Sequence, residues 1–147
     1  MDKDKIVGAL YLKFNSLEGP NPVLSSPEDL SETIITSVPK KVIEYLSAQT
    51  AKVSKSIEKL DFPSVNLKGF FKYKRWEDTV NPRGYTRTAL ILLFPEKANK
   101  TFEERSKEIE KEIDNFLFDI IGLEHKSAER KQYIKILKKF KKKIAKL

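Results

Sequence analysis

The chain has 147 residues, of which 39% are hydrophobic and 34% are charged. This balance is typical of a single folded domain with a buried core, and it argues against a disordered chain. The absence of cysteine excludes disulfides, thiolate chemistry and cysteine metal sites. Since no apolar run approaches the roughly 18 residues of a membrane-spanning helix, we expect a cytoplasmic protein, with peripheral contact at membranes left open.

The positive charge of the chain is concentrated in its C-terminal tail, residues 126–147. The tail contains ten lysines and arginines against one acid, Glu129, which gives a balance of +9. The formal net charge of the whole chain is +8, so the preceding 125 residues together carry −1. Any inference from charge to a binding partner therefore concerns the tail alone.

The first predicted strand runs from Ile6 to Phe14. Apolar residues occupy both of its alternating faces, which is typical of a strand that is covered on both sides. This stretch is short and has acids before it, so it favours a strand over a signal peptide. The turn-forming segment Asn15–Pro22 then predicts a hairpin loop, followed by a short edge strand over Val23–Ser25.

A helical region is predicted to begin at Pro27, with Ser26 as its cap. Apolar residues at helical spacing continue to Val38, and Pro39 predicts either a kink or the start of a second helix. Residues 47–60 show too few apolar positions for an assignment. The segment Asp61–Ser64 is expected to interrupt regular structure.

Two more strands are predicted, over Val65–Trp76 and Tyr85–Phe94, with a turn between them. Thr101 and Glu104 have the spacing of a capping box and predict a helix that stops before Gly122. The tail predicts a last helix over residues 127–147, capped by Ser127. At 100° per residue, six of its apolar side chains fall within an arc of about 100°: Tyr133, Ile136, Leu137, Phe140, Ile144 and Leu147.

The order β-β-α-β-β-α-α predicts an α/β fold of the α+β type, a four- to five-stranded antiparallel sheet with helices on both faces. The strands at Ile6–Phe14 and Tyr85–Phe94 are apolar on both faces and should lie in the centre. This gives the sheet order second, first, fourth, third. Residues 1–125 are expected to form the α/β domain, and residues 126–147 a basic amphipathic helix packed on it.

Residue patterns that support catalysis are scarce. The glycines are isolated and form no phosphate-binding loop. The single histidine, His125, falls in a predicted interhelical loop, and the acid pairs Glu28/Asp29 and Glu77/Asp78 fall at a helix start and in a turn. We therefore expect a protein that is not an enzyme, with no catalytic residues, no metal site and no cofactor.

The tail supports three interpretations. Its apolar stripe can pack on the sheet, it can bind anionic lipid with Phe140, Ile144 and Leu147 inserted, or its charge can bind nucleic acid or an acidic protein. For nucleic acid, Lys72–Trp76 offers a second basic, aromatic face. Gly19 and Pro20 are candidate binding residues as part of a rigid exposed surface. In the tail, the candidates are Phe140 and seven lysines: Lys131, Lys135, Lys138, Lys139, Lys142, Lys143 and Lys146.

The segment Phe14–Val23, of sequence FNSLEGPNPV, together with the element order resembles the longin-like domains, a fold similar to profilin. In many of them the first strand leads into a Gly-Pro turn, and a short second strand ends near a proline before the first helix; Gly19-Pro20 and Pro27 match this pattern. The resemblance covers roughly Ile6 to Ile121. Longin domains typically place three strands between their first two helices, whereas two are clear here, so a further strand is expected within residues 47–64 or the sheet has four.

The resemblance implies a non-catalytic scaffold for protein–protein interaction in membrane traffic and small-GTPase regulation. The expected partners are a small GTPase, or a related longin or roadblock domain in a homo- or heterodimer, with an anionic membrane surface in contact with the tail. The family has no shared catalytic residues to transfer. The alternative is a nucleic-acid-binding protein that uses the basic C-terminal helix and the Lys72–Trp76 strand.

Overall fold

A computed structural model describes residues 6–15, 19–26, 30–48, 57–77, 85–125 and 129–146. They form an α+β fold with a five-stranded antiparallel sheet and four α-helices. The strands are β1 (Gly8–Asn15), β2 (Gly19–Ser26), β3 (Glu58–Phe62), β4 (Leu67–Glu77) and β5 (Tyr85–Pro95). The helices are α1 (Glu32–Ala48), α2 (Asn99–Glu104), α3 (Ser106–His125) and α4 (Arg130–Ala145), with short 3-10 turns at Pro63–Val65 and Glu96–Ala98.

The sheet has the strand order β2-β1-β5-β4-β3, and every neighbouring pair is antiparallel. β1 and β5 lie in the centre because they are apolar on both faces, and residues 9–12 and 89–94 are fully buried. The four strands expected from the sequence thus lie second, first, fourth, third. β3 is added outside β4 and supplies a fifth strand within residues 47–64, so the predicted element order lacked β3 and the short helix α2.

Helices cover both faces of the sheet, and each face has its own core cluster. On one face, Val38 and Val42 of α1 pack with side chains that include Leu12 and Ile91. On the other face, α2, α3 and α4 pack on the alternate side chains of the same strands. The two clusters share the central strands because successive side chains of a strand point to opposite faces.

The segment Gly19–Pro22 belongs to β2, so the prediction of a hairpin loop over Asn15–Pro22 is wrong for most of its length. Pro20 pairs with Phe14, and Pro22 pairs with Leu12 across a shift of register. β2 is an edge strand of the described sheet, and only one of its sides pairs with another strand. A proline is tolerated there when its nitrogen, which has no N–H to donate, is on the unpaired side. Residues 16–18, between the two strands, lie outside the described residues.

β3 and β4 are joined by a tight turn in the region where a break was expected. Phe62 at the end of β3 pairs with Leu67 at the start of β4. Between them, the Asn66 N–H donates to the Pro63 carbonyl at 3.3 Å, and Asn66 is left-handed with φ 56°. Asparagine tolerates this conformation better than most residues, so the turn closes at little cost.

The first helix differs from its prediction at its start. The Ile34 N–H donates to the Ser31 hydroxyl oxygen at 3.3 Å, so Ser31 takes the capping role expected of Ser26. Pro27 lies outside the described residues. Pro39 neither ends nor divides α1, which continues through it from Glu32 to Ala48.

The later helices also depart from their predicted limits. Thr101 lies inside α2 rather than at a cap. The helix is interrupted by a turn at Arg105, and α3 begins at the next residue. α3 continues through Gly122, which is therefore not its stop, and His125 is the last residue of that helix rather than part of a loop.

Candidate functional site

Helix α4 carries most of the candidate binding residues, and its start is fixed by Glu129. The Glu129 N–H donates to Oε1 of Gln132 at 3.0 Å, which satisfies a backbone donor at the helix entrance. Lys142 and Lys143 lie in the last turn, where cations interact favourably with the helix dipole. Ser127, the predicted cap, and Leu147 lie outside the described residues.

The apolar side of α4 is buried against the rest of the protein. Leu137, Phe140 and Ile144 are only 1%, 3% and 4% exposed and belong to the core cluster beneath α3 and α4. The rings of Phe140 and Phe116 of α3 lie 5.4 Å apart between centroids. Phe140 and Ile144 therefore face the core in this arrangement, and they are not placed at the surface as the lipid-insertion interpretation requires.

All seven candidate lysines of the tail are exposed. At 100° per residue, six of them fall within an arc of about 100° opposite the buried side chains. We call this set the lysine face: Lys131, Lys135, Lys138, Lys139, Lys142 and Lys146. The seventh, Lys143, lies beside the arc on the side of α3, where its Nζ is 3.8 Å from Oε2 of Glu112.

Most charges of the lysine face are not neutralised. Lys131 is 3.2 Å from a carboxylate oxygen of Glu129, in a pair that is exposed on both sides and hence weak. The side chains of the other five lysines make no ion pair or hydrogen bond with the residues that the structure describes. From Lys135 to Lys146 they extend over roughly 16 Å at the helical rise per residue.

A groove between α3 and α4 borders the lysine face. Glu112 and Asp119 line the wall formed by α3, and Lys139 and Lys143 line the wall formed by α4. The carboxylate oxygen of Glu112 that faces Lys143 is fully shielded from solvent. Because its two walls carry opposite charges, the groove has no marked preference for an anionic or a cationic ligand.

The second candidate surface, Lys72–Trp76, is not a continuous basic face. The side chain of Lys72 is only 13% exposed, and its Nζ is 2.6 Å from Oδ1 of Asp114 and 3.5 Å from Oε2 of Glu110. Tyr73 lies on the opposite face of β4 and packs with the cluster under α1. Lys74 and Arg75 are exposed, and the side chain of Trp76 lies outside the described part of the chain.

Gly19 and Pro20 lie on a different element from the lysines. They belong to the edge strand β2 and pair with Asn15 and Phe14 of β1. Their backbone placement makes them part of the sheet edge rather than of an exposed loop. The predicted site residues therefore fall into two separate groups, one on α4 and one on β2.

Phe118 of α3 is an exposed aromatic residue that the sequence interpretation did not select. Its side chain is 79% exposed, while Phe116, Leu117 and Ile120 beside it are buried. It is out of phase with the apolar stripe of α3, and this phase difference is the signal that could have identified it. A single exposed aromatic side chain is common on protein surfaces and does not define a site.

Tyr45 and Glu58 form the part-buried polar contact that joins α1 to β3. The Tyr45 hydroxyl donates to Oε2 of Glu58 at 2.9 Å. This hydrogen bond, with burial and the repulsion from the carboxylate, raises the pKa of Tyr45 above its ordinary value of 10.0. The Tyr45 ring also meets Phe71 edge to face, so the contact is part of the packing of α1 on the sheet.

Comparison with known proteins does not assign the chain to a family. No protein-family model matches the sequence, and no curated protein is similar to it. Within the described ranges, no group of three or more histidine, aspartate or glutamate side chains is arranged to hold a metal ion. None of the helices in those ranges is long and apolar enough to cross a membrane.

Proposed function

We propose that this protein is a longin-like scaffold that binds a small GTPase or a related longin or roadblock domain, in membrane traffic or GTPase regulation. The observation that carries the proposal is the presence of β3, β4 and β5 between α1 and α2. Three strands in this place are what the resemblance implies, and the sequence alone showed two. The proposal includes peripheral membrane contact through α4.

The layered architecture supports a binding role. One helix covers one face of the sheet and three helices cover the other, so the sheet faces are occupied by the protein's own core. A partner therefore has the outer helix surfaces and the edge strands β2 and β3 to contact. A non-enzymatic scaffold uses such surfaces, because binding needs area and complementary shape rather than a buried reactive group.

The alternative of nucleic-acid binding is less well supported. The nucleic-acid interpretation needs Lys72 as part of a basic strand face, but Lys72 forms ion pairs with Asp114 and Glu110 of α3. Phosphate contacts need cations that are free to replace counterions. The alternative therefore depends mainly on α4, because Lys74 and Arg75 are the exposed cations that remain on the strand.

Binding to a defined panel of purified proteins tests the proposal. The full chain is immobilised and presented with small GTPases, each loaded with GDP or with a non-hydrolysable GTP analogue, and with separate longin and roadblock domains. We expect at least one member to be retained, and a GTPase partner to be retained in one nucleotide state preferentially. An unrelated α+β protein of similar charge is the control. If neither class of partner is retained above this control, the proposal is wrong.

A further inference from the structure

We infer that α4 binds an anionic lipid bilayer through its lysine face while the helix remains packed on the core. The inference rests on the proposed function for its setting, since that function includes membrane contact, but its evidence comes from α4 itself. It assigns the contact to charged side chains alone. No apolar residue of α4 enters the bilayer.

The charge distribution of α4 supports this mode of binding. Five lysines of the lysine face have no side-chain partner among the described residues. Four of them project from one side of α4, and Lys146, the C-cap residue, continues the same side. Their spacing along roughly 16 Å of helix allows them to approach a flat surface together. An anionic bilayer offers such a surface, and its attraction for lysines acts within about one Debye length.

The packing of α4 excludes the usual amphipathic mode of membrane binding. A helix that lies in the membrane interface buries its apolar face among the acyl chains. Here Leu137, Phe140 and Ile144 are already buried against α3 and the sheet. Releasing them would remove three core side chains, so the helix has charge to offer to a membrane but no free apolar face.

The composition of the lysine face favours a bilayer over nucleic acid. All six of its cations are lysines, which act as point charges and lack the two-pronged geometry with which arginine recognises bases. Single-stranded nucleic acid is bound by aromatic side chains that stack on the bases. Phe140 faces the core, and the lysine face itself includes no aromatic residue.

Flotation of the full chain with vesicles tests the inference. The vesicles contain phosphatidylcholine alone or with about one third phosphatidylserine. We expect binding to the anionic vesicles only, and release when the salt concentration is raised from 0.1 to 1 M, because the Debye length falls from about 10 to about 3 Å. Each lysine near the surface contributes about a fivefold increase in partitioning, so several together give a large effect.

Two matched variants separate the lysine face from net charge. In one, Lys135, Lys138, Lys139, Lys142 and Lys146 are changed to Gln. In the other, five exposed lysines elsewhere are changed to Gln: Lys40, Lys97, Lys100, Lys107 and Lys111. Both lower the formal net charge from +8 to +3. We expect the first variant to lose at least about 100-fold in partitioning and the second to lose less than about tenfold, with both folded by circular dichroism.

Four results would overturn the inference, the last of them measured by hydrogen exchange. The first is wild-type protein that does not float with anionic vesicles, and the second is equal loss in both variants. The third is release of the protein from vesicles by a 20-nucleotide single strand at equal phosphate concentration, which would favour nucleic acid. Hydrogen exchange supplies a further test, since amides around Phe140 should stay protected on vesicles, and loss of their protection would show that α4 leaves the core. Because the GTPase panel contains no lipid, its outcome is separate from that of flotation.

Discussion

The ring of Phe62, at the end of β3, lies against Gly69 on the neighbouring strand β4. A Cβ added at Gly69 would come within 2.8 Å of Cε2 of Phe62 and within 3.3 Å of Cγ2 of Ile91. Phe62 is only 2% exposed, so its ring has little room to move aside. The absence of a side chain at Gly69 therefore leaves the space that the Phe62 ring of the edge strand β3 occupies.

We expect Gly69→Ala to lower the free energy of unfolding by about 1 to 3 kcal/mol, because overpacking forces the Phe62 ring out of place. Urea denaturation measures the change. In the Phe62→Leu background the same substitution should cost less, and this coupling identifies the steric contact. Equal costs in the two backgrounds would show that the Phe62 ring is not what the added methyl group meets.

Gly122 of α3 provides the opposite case. A Cβ added at this position would have no neighbouring atom within 4 Å. Gly122 is exposed to solvent and is helical, in the last turn of α3. We expect Gly122→Ala to raise the free energy of unfolding by about 0.5 to 1 kcal/mol, because alanine loses less backbone entropy in a helix. A rise in the thermal midpoint would show this. A fall would mean that α3 ends near Gly122 in solution, as the sequence pattern predicts.

Lys72 connects β4 to α3 through its contacts with Asp114 and Glu110. Glu110 also accepts a hydrogen bond from the Ile57 N–H at 2.9 Å, so this carboxylate of α3 contacts both β4 and the residue that precedes β3. We expect Lys72→Gln to lower the free energy of unfolding by about 1 to 2 kcal/mol, since hydrogen bonds to charged groups are stronger than neutral ones. The loss should be smaller in high salt.

The exposed Lys74, two residues further along the same face of β4, is the control for Lys72. We expect Lys74→Gln to change stability by less than about 0.5 kcal/mol, as is usual for surface positions. Equal effects of the two substitutions in chemical denaturation would indicate that α3 does not hold Lys72 in solution.

The hydrogen bond from Tyr45 to Glu58 makes part of the stability depend on pH. The folded state raises the pKa of Tyr45, so the stabilisation is complete below the ordinary value of 10.0 and is lost as the pH rises through the folded value. We expect Tyr45→Phe to cost about 1 kcal/mol at pH 7. Urea denaturation between pH 7 and 11 should show this difference decreasing above pH 10. A difference that grows with pH would contradict the assignment.

The central strands could be predicted from the sequence, whereas the edge strand β3 could not. β1 and β5 are apolar on both faces, a pattern that is typical of strands covered on both sides and therefore places them in the centre of a sheet. β3 has Leu60 and Phe62 on its inner side, with charged residues filling the other positions. Two apolar residues are too few for a periodic signal, and the strand is defined by its pairing with β4, which is a tertiary contact.

In the candidate site too, features set by the local sequence could be predicted, whereas features set by tertiary contacts could not. The exposure of the lysines of α4 follows from helical periodicity and could be predicted. The pairing of Lys72 with Asp114 and of Lys143 with Glu112 depends on where α3 lies, and those partners are more than 30 residues apart in sequence. Periodicity also could not decide whether Phe140 faces a core or a membrane, because both environments select the same apolar stripe.

The substitution Phe140→Ala tests whether α4 packs on the core. Its ring is 3% exposed and lies against Phe116, so Phe140→Ala should lower the free energy of unfolding by about 3 to 5 kcal/mol. Lys142→Ala, on the exposed side of the same helix, should change it by less than about 0.5 kcal/mol.

Under conditions where the Phe140 variant is still folded, it should float with anionic vesicles as the wild type does, because its lysine face is intact. A Phe140 variant that keeps full stability but loses vesicle binding would show that this side chain inserts into lipid, and that α4 is not a core helix.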